Sequence, residues 1–175
     1  MSNIFLVSDT HFGHKNILSF SRPDGSPMRS FSSVEEMDEH IISRWNSVVR
    51  PQDKVYHLGD VAMHRQHIQT MGRCNGHHRL VRGNHDIFNI KYYLEYFDEI
   101  HAVRVLDNMI LSHIPLHPES LGRFLGNVHG HVHNNVEPLH FGPRYYNVSV
   151  EAIEDRKSTR LNSSHSQQSR MPSSA

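Results

Sequence analysis

Carboxylates, imidazoles and one amide stand at the ends of five short apolar runs, in an order that suits the capture of metal ions. Ile4-Phe5-Leu6-Val7 leads into Asp9-Thr10-His11, Val55-Tyr56-His57-Leu58 into Gly59-Asp60, and Leu80-Val81 into Gly83-Asn84-His85-Asp86. Met109-Ile110-Leu111 leads into Ser112-His113, and Asn127-Val128-His129 into Gly130-His131-Val132-His133. Asp9 and Asp60 offer carboxylate oxygens, Asn84 a neutral amide oxygen, and His11, His113, His131 and His133 imidazole nitrogens. Hard oxygen donors mixed with imidazole suit Mn, Fe, Zn or Ni rather than calcium. Two divalent ions held by two carboxylates and a bridging hydroxide keep a net charge of about +1, which attracts a phosphoryl group. Ions roughly 3.5 to 4 Å apart lower the pKa of bound water and clamp both oxygens of an in-line displacement. Such chemistry needs no serine or cysteine nucleophile, and Cys74 lies outside every motif.

These side chains converge only if the fold brings five strand ends together, which is where α/β sheets place their sites. Residues 3 to 8 are expected to form a buried strand. Ser33 with Glu36 makes a capping-box pattern, and Val34, Met37, Ile41, Trp45 and Val48 recur at helical spacing, which predicts a helix over 33 to 49. Shorter helices are expected over 64 to 71, stopped by Gly72, and over 90 to 97. From Glu99 the rhythm changes to strands at about 100 to 106, 109 to 112, 127 to 129 and 145 to 150, with Asp107-Asn108 as a two-residue hairpin turn. A βαβ half followed by a β-rich half predicts an α/β fold of two mixed sheets face to face with helices outside.

At 175 residues the chain is expected to form one domain, over 1 to 154. Lys plus Arg and Asp plus Glu both number 18, so no global field draws it to nucleic acid or to a membrane. A single cysteine excludes an internal disulfide and fits a reducing compartment. The apolar run after Met1 is shorter than the core of a secretory signal, and no stretch reaches the ~20 residues of a spanning helix, so a cytoplasmic location is expected. Residues 155 to 175 are rich in Ser, with Arg and Gln and almost nothing apolar, and are expected to be a disordered tail. The string from Asp155 to His165 looks like an in-frame translation of a sequencing adapter, so no function is drawn from it and the native chain is expected to continue differently beyond about 154.

The order Asp-x-His, Gly-Asp, Gly-Asn-His-Asp, His, Gly-His-x-His resembles the calcineurin-like metallophosphoesterases over residues 1 to 154, and the stretch His11-Phe12-Gly13-His14-Lys15-Asn16 resembles a compact phage and bacterial subgroup. The resemblance implies a four-layer α/β/β/α sandwich with a two-metal centre. It places Asp9, His11 and His133 on one ion, Asn84, His113 and His131 on the other, and Asp60 as the bridge, with Mn the first expectation. His85 then contacts the substrate phosphate and protonates the leaving oxygen, Asp86 orients His85, and His14 and Asn16 stand within reach of the substrate. The Ser/Thr phosphatase branch follows Gly-Asp with x-x-Asp-Arg-Gly, whereas Val61-Ala62-Met63-His64-Arg65 stands here, so a phosphodiesterase-like branch is favoured over protein phosphatases. The implied function is hydrolysis of a small phosphate ester by in-line attack of the bridging hydroxide. The alternatives are a nuclease of the same superfamily, against which the missing basic stripe speaks, and a metal-binding scaffold without catalysis, which would not need His85.

Overall fold

The computed structural model describes residues 2–135 and 142–155; the tail expected beyond them lies outside the described residues. Its strands form two four-stranded sheets. In the first, β1 (Ile4–Val7), β2 (Lys54–His57), β3 (His77–Val81) and β4 (Glu99–His101) pair in that order, all parallel. The second holds β5 (Arg104–Leu106), β6 (Met109–Leu111), β7 (Gly126–His129) and β8 (Tyr145–Asn147), antiparallel at β5 and β6 and parallel thereafter. Two mixed sheets were expected, and the first is instead purely parallel. Each of its connections is a crossover that returns the chain to the same end: α1 (Val34–Val48), a 3-10 helix (Arg65–Arg73) and α2 (Ile90–Tyr93).

Residues 100 to 106, expected as one strand, divide between the sheets. Arg79 pairs with Glu99 on one side, and Arg104 pairs with Leu111 on the other. Sheet membership is set by tertiary partners, which a continuous β-forming run does not reveal. The hairpin turn at Asp107 and Asn108 forms with φ of 47° and 62°, the mirror-image geometry that matches the twist of the flanking strands.

Ser33 caps α1 by accepting from the Glu36 N–H at 3.1 Å, and the Glu36 carboxylate accepts from the Ser32 N–H at 2.7 Å. Met37, Ile41, Ile42 and Trp45 form its buried face. The helix expected over 64 to 71 is a 3-10 helix that runs through Gly72. Its tighter winding brings Ile68 and Met71, three apart, onto one side, where both are buried. The helix expected over 90 to 97 is a single turn, followed by the buried Phe97.

The period-two alternation of the first sheet separates two cores. Val55 and Leu80 pack against α1, Ile68, Met71, Tyr93 and Phe97. Their neighbours Tyr56 and Val81, with Leu58, pack against Leu111, Val128 and Val148, so the sheets meet face to face. The opposite face of the second sheet presents the row Ile110, Asn127 and Tyr145. It is covered by the loop holding a 3-10 helix, Pro118–Leu121: the Leu116 N–H donates to Asn127 Oδ1 at 2.9 Å, and the Tyr145 hydroxyl donates to the Leu116 carbonyl at 2.6 Å.

If the sheets are joined through this second core, Leu111→Ala destabilises the protein by about 2 to 5 kcal/mol. Val105→Ala, on a side chain 46% exposed, costs about 0.5 kcal/mol or less. Urea unfolding in a chelator measures both, and equal small losses would contradict the packing.

Candidate metal centre

Five of the site residues foreseen from the sequence sit in left-handed backbone: Asp9 at φ 59°, His11 at 49°, Asp60 at 57°, His131 at 68° and His133 at 49°. Each such residue costs roughly 1–2 kcal/mol in an L-amino acid, least for short polar side chains. The turn it makes directs the side chain off the end of its strand toward a common centre. Backbone bonds fix the turns. The Asp9 N–H donates to the Gly59 carbonyl at 2.9 Å, His11 N–H to the Asp60 carbonyl at 3.0 Å, and Gly130 N–H to the His113 carbonyl at 2.9 Å.

Two groups of side chains result, each with its ligand atoms within 4.8 Å of one another: Asp9, His11 and His133, and Asp60, His113 and His131. Asp60 lies between them, its Oδ2 3.6 Å from His11 Nε2 and 3.4 Å from His113 Nε2. Asn84 Oδ1 is 2.9 Å from both His113 Nε2 and His131 Nδ1, so the amide belongs with the second group. His11 and His133 stack with ring centroids 5.3 Å apart. All seven residues expected as ligands are therefore brought together.

The half-buried His85 stands beside them, its ring 5.6 Å from that of His11 in an edge-on arrangement. His14 lies 5.5 Å from His11 on another side and packs against Phe20, while Asn16 is exposed. Asp86 does not take the role expected for it. Its fully buried carboxylate accepts backbone N–H groups from Asp60 and Gly83, both at 2.8 Å, and from Val61 at 3.0 Å, leaving its oxygens committed to the loops rather than to the His85 ring. What fixes His85 is its own N–H, which donates to Asp60 Oδ1 at 2.9 Å.

Two motif glycines are required by close approach. A Cβ on Gly83 would lie 2.2 Å from Asp60 Oδ1, and one on Gly130 would lie 2.3 Å from Asp9 Oδ2. Any side chain there would displace a carboxylate.

Burial dominates the electrostatics. It pushes the Asp9 carboxyl up to about 6 and the His11 imidazole down to about 2. Burial also works against ionised Asp60, but hydrogen bonding and charge from His113, with charge from His11, hold it at about 2. Burial lowers His131, with His113 adding to the effect. The same burial opposes protonation of His133, yet the adjoining Glu151 carboxylate raises it overall.

Glu151 and Arg29 escaped the sequence reading. Glu151, from α3 (Val150–Asp155), places Oε2 3.2 Å from His133 Nδ1. Arg29, 5% exposed, donates through Nε to Glu151 Oε1 at 2.6 Å and through its Nη atoms to the carbonyls of Asp9 and Thr10. Partners 122 residues apart leave no one-dimensional signal.

His57, fully buried at the end of β2, accepts the Gly59 N–H at Nδ1 over 3.2 Å. Its proton therefore sits on Nε2, facing Thr10 Oγ1 at 2.9 Å, and the Thr10 hydroxyl donates onward to the Val61 carbonyl at 2.8 Å. Protonation at Nδ1 would break the bond that turns the chain toward Asp60. Burial, reinforced by His78, pushes His57 down to about 3. The unfolded chain therefore binds this proton more readily between about pH 6.5 and 3, and stability falls by about 1.4 kcal/mol per pH unit as pH drops through that window. His57→Asn, which cannot ionise, should remove this slope. Urea unfolding from pH 7 to 4 in a chelator measures it, and parallel curves for the two proteins would refute the assignment.

No protein-family model matches the chain. A protein of unknown function from Aquifex aeolicus, AQ665, superposes on it with a TM-score of 0.68 at 26% identity, over 88% of this chain and 93% of that one. The gene 66 protein of Mycobacterium phage D29 is 27% identical, over 89% of this chain and 91% of its own length. The uncharacterized protein MJ1445 of Methanocaldococcus jannaschii is 35% identical over 165 residues, 87% of this chain and 84% of its own. At that likeness and coverage, the chain belongs to the same family as the archaeal protein MJ1445.

Proposed function

We propose that the protein is a metal-dependent phosphoesterase of the calcineurin-like type, acting on phosphodiesters, and that its sheets and flanking layers are the four-layer sandwich of that superfamily. The observation that carries this reading is the convergence of two ligand groups on either side of Asp60, with His85 beside them. The donor set fits cations. His113 Nε2 and His131 Nδ1 lie 3.3 Å apart and both face Asn84 Oδ1, an arrangement of lone pairs that a metal ion satisfies. Asp9, His11 and His133 would hold one ion and Asn84, His113 and His131 the other, with Asp60 shared; Mn is the metal expected first, and the same donors admit Fe, Zn or Ni.

Two such ions supply an activated water and a positive clamp for in-line displacement at phosphorus. The chain's own residues do the rest. His85 reaches the phosphoryl group with its imidazole and, when protonated, delivers a proton to the leaving oxygen. Asp60 holds the His85 backbone, and Asp86 holds the loops of Asp60 and Gly83, so the donor stays aimed while the leaving group departs. Cys74 takes no part, since burial pushes its thiol up to about 12.

With Mn added, the protein is expected to hydrolyse a generic aryl phosphodiester and to lose that activity in a chelator; turnover indifferent to chelation would sink the reading. Single- and double-stranded DNA in the same assay decide the nuclease alternative. His85→Ala should slow esters with alkyl leaving groups by roughly 10²- to 10⁴-fold and aryl esters far less, because only the former need a proton. Equal losses would argue against the acid role.

A further inference from the structure

The four imidazoles of the centre differ in what lies behind them. His113 Nδ1 is 2.7 Å from the Leu58 carbonyl, a neutral acceptor. Among the described residues, His11 Nδ1 is buried with no hydrogen-bond partner. His133 alone, among the described residues, is backed by a carboxylate, Glu151, 3.2 Å from its Nδ1. That carboxylate is ion-paired through its other oxygen with Arg29 at 2.6 Å, and both side chains are about 3% exposed. A guanidinium only donates and a carboxylate paired with it only accepts, so the proton between Glu151 and His133 belongs to His133 Nδ1. The Nε2 lone pair is then left free on the side of Asp9, whose Oδ1 is 3.8 Å away.

The same guanidinium bonds the carbonyls of Asp9 and Thr10, the residues that carry the chain from β1 to His11. Arg29 thus joins the backbone of two ligands to the carboxylate that orients a third. Its charge also cancels that of Glu151, so the pair orders the ligands without adding net charge to the centre.

We propose that Arg29 and Glu151 form a buried positioning pair for the Asp9, His11 and His133 site, with Glu151 fixing His133 as the Nδ1–H tautomer and Arg29 holding Glu151 to the Asp9–His11 segment. The proposal rests on the metal-centre reading above, and it makes α3 part of the site. Removal of such a supporting partner costs roughly 10- to 100-fold in metal affinity.

Metal binding, rather than turnover, provides the test. Mn is titrated into the full-length metal-free protein and the bound ions are counted after equilibrium dialysis. The wild type should bind two ions, and Glu151→Gln should weaken one of them by roughly 10- to 100-fold while sparing the other. Combined with His133→Ala, Glu151→Gln should add nothing further; combined with His131→Ala, the two losses should add. Glu151→Asp, which keeps the charge, should recover part of the affinity. Equal weakening of both ions, or full additivity with His133→Ala, would overturn the pair and leave the two-metal reading standing, whereas a wild type that binds no ion would overturn both. Should Glu151→Gln fail to fold, a long-range ¹H–¹⁵N spectrum of histidine-labelled wild type decides the matter. The ring assigned to His133 by its loss in His133→Ala must carry its proton on Nδ1, and a proton on Nε2 would refute the proposal.

Discussion

The centre depends on a backbone constraint: the chain must leave each strand through the left-handed region and bring a short polar side chain round to one point. Asp9, His11, Asp60, His131 and His133 all do so. At roughly 1–2 kcal/mol for each L-residue, five such turns persist only because the surroundings hold them. Several of the holding bonds come from the site itself. Asp9 accepts the His131 N–H at 2.9 Å and Asp60 accepts the His85 N–H at 2.9 Å, so the carboxylates expected to bind metal also stitch strand ends together, Asp9 across the two sheets and Asp60 within the first. Asp86 extends the same principle without joining the cluster, by taking three amides from two loops.

Charge burial follows from that geometry. Carboxylates at the seam between two sheets lose water, which pushes Asp9 up, and the same loss drives His11 and His131 toward their neutral forms, whereas Asp60 raises His113 and Glu151 raises His133. Neutral imidazole and ionised carboxylate are the states in which both bind cations, and a cation binding only the folded chain stabilises it by mass action. Arg29 and Glu151 meet the same burial differently. Each is the other's counter-ion, and the remaining donors of Arg29 are met by main-chain carbonyls and by the Met37 sulfur at 3.4 Å. Such a pair gains little stability over apolar residues of equal volume. Its value lies in the geometry it imposes on the chain around it.

Much of this was legible in one dimension. The five strand ends, the α1 cap at Ser33 and the hairpin at Asp107-Asn108 carry local signatures, and the structure places all three where the residues put them. The parallel character of the first sheet and the division of residues 100 to 106 between sheets were not legible, because pairing partners lie far away in sequence. Asp86 shows a subtler limit. Its place beside His85 suggested a carboxylate orienting an imidazole, but adjacent side chains on a tight loop diverge, and it is the backbone amides that fall within its reach. Arg29 was hidden within a Pro- and Gly-containing loop, where a buried guanidinium leaves no pattern; its counter-ion Glu151 meets it from 122 residues away.

The placement of Arg29 changes what the loop over 20 to 31 can do. In the sequence Pro23, Asp24-Gly25 and Pro27 mark it as a loop that breaks any helix. In the fold, Met28 and Arg29 are buried, and Arg29 is bonded to the ligand-bearing segment after β1. The loop over 114 to 126 is likewise committed, through Leu116 to Asn127 and Tyr145, to covering the second sheet. Both loops therefore support the scaffold. Exposure is uneven across the centre: Asp9 and His11 are buried, whereas Asn84 and His131 are exposed and His85 is half-buried. On the phosphoesterase reading, the ester must arrive over Asn84 and His131. Its leaving oxygen then faces His85, the ring placed where solvent ends and the buried ligands begin.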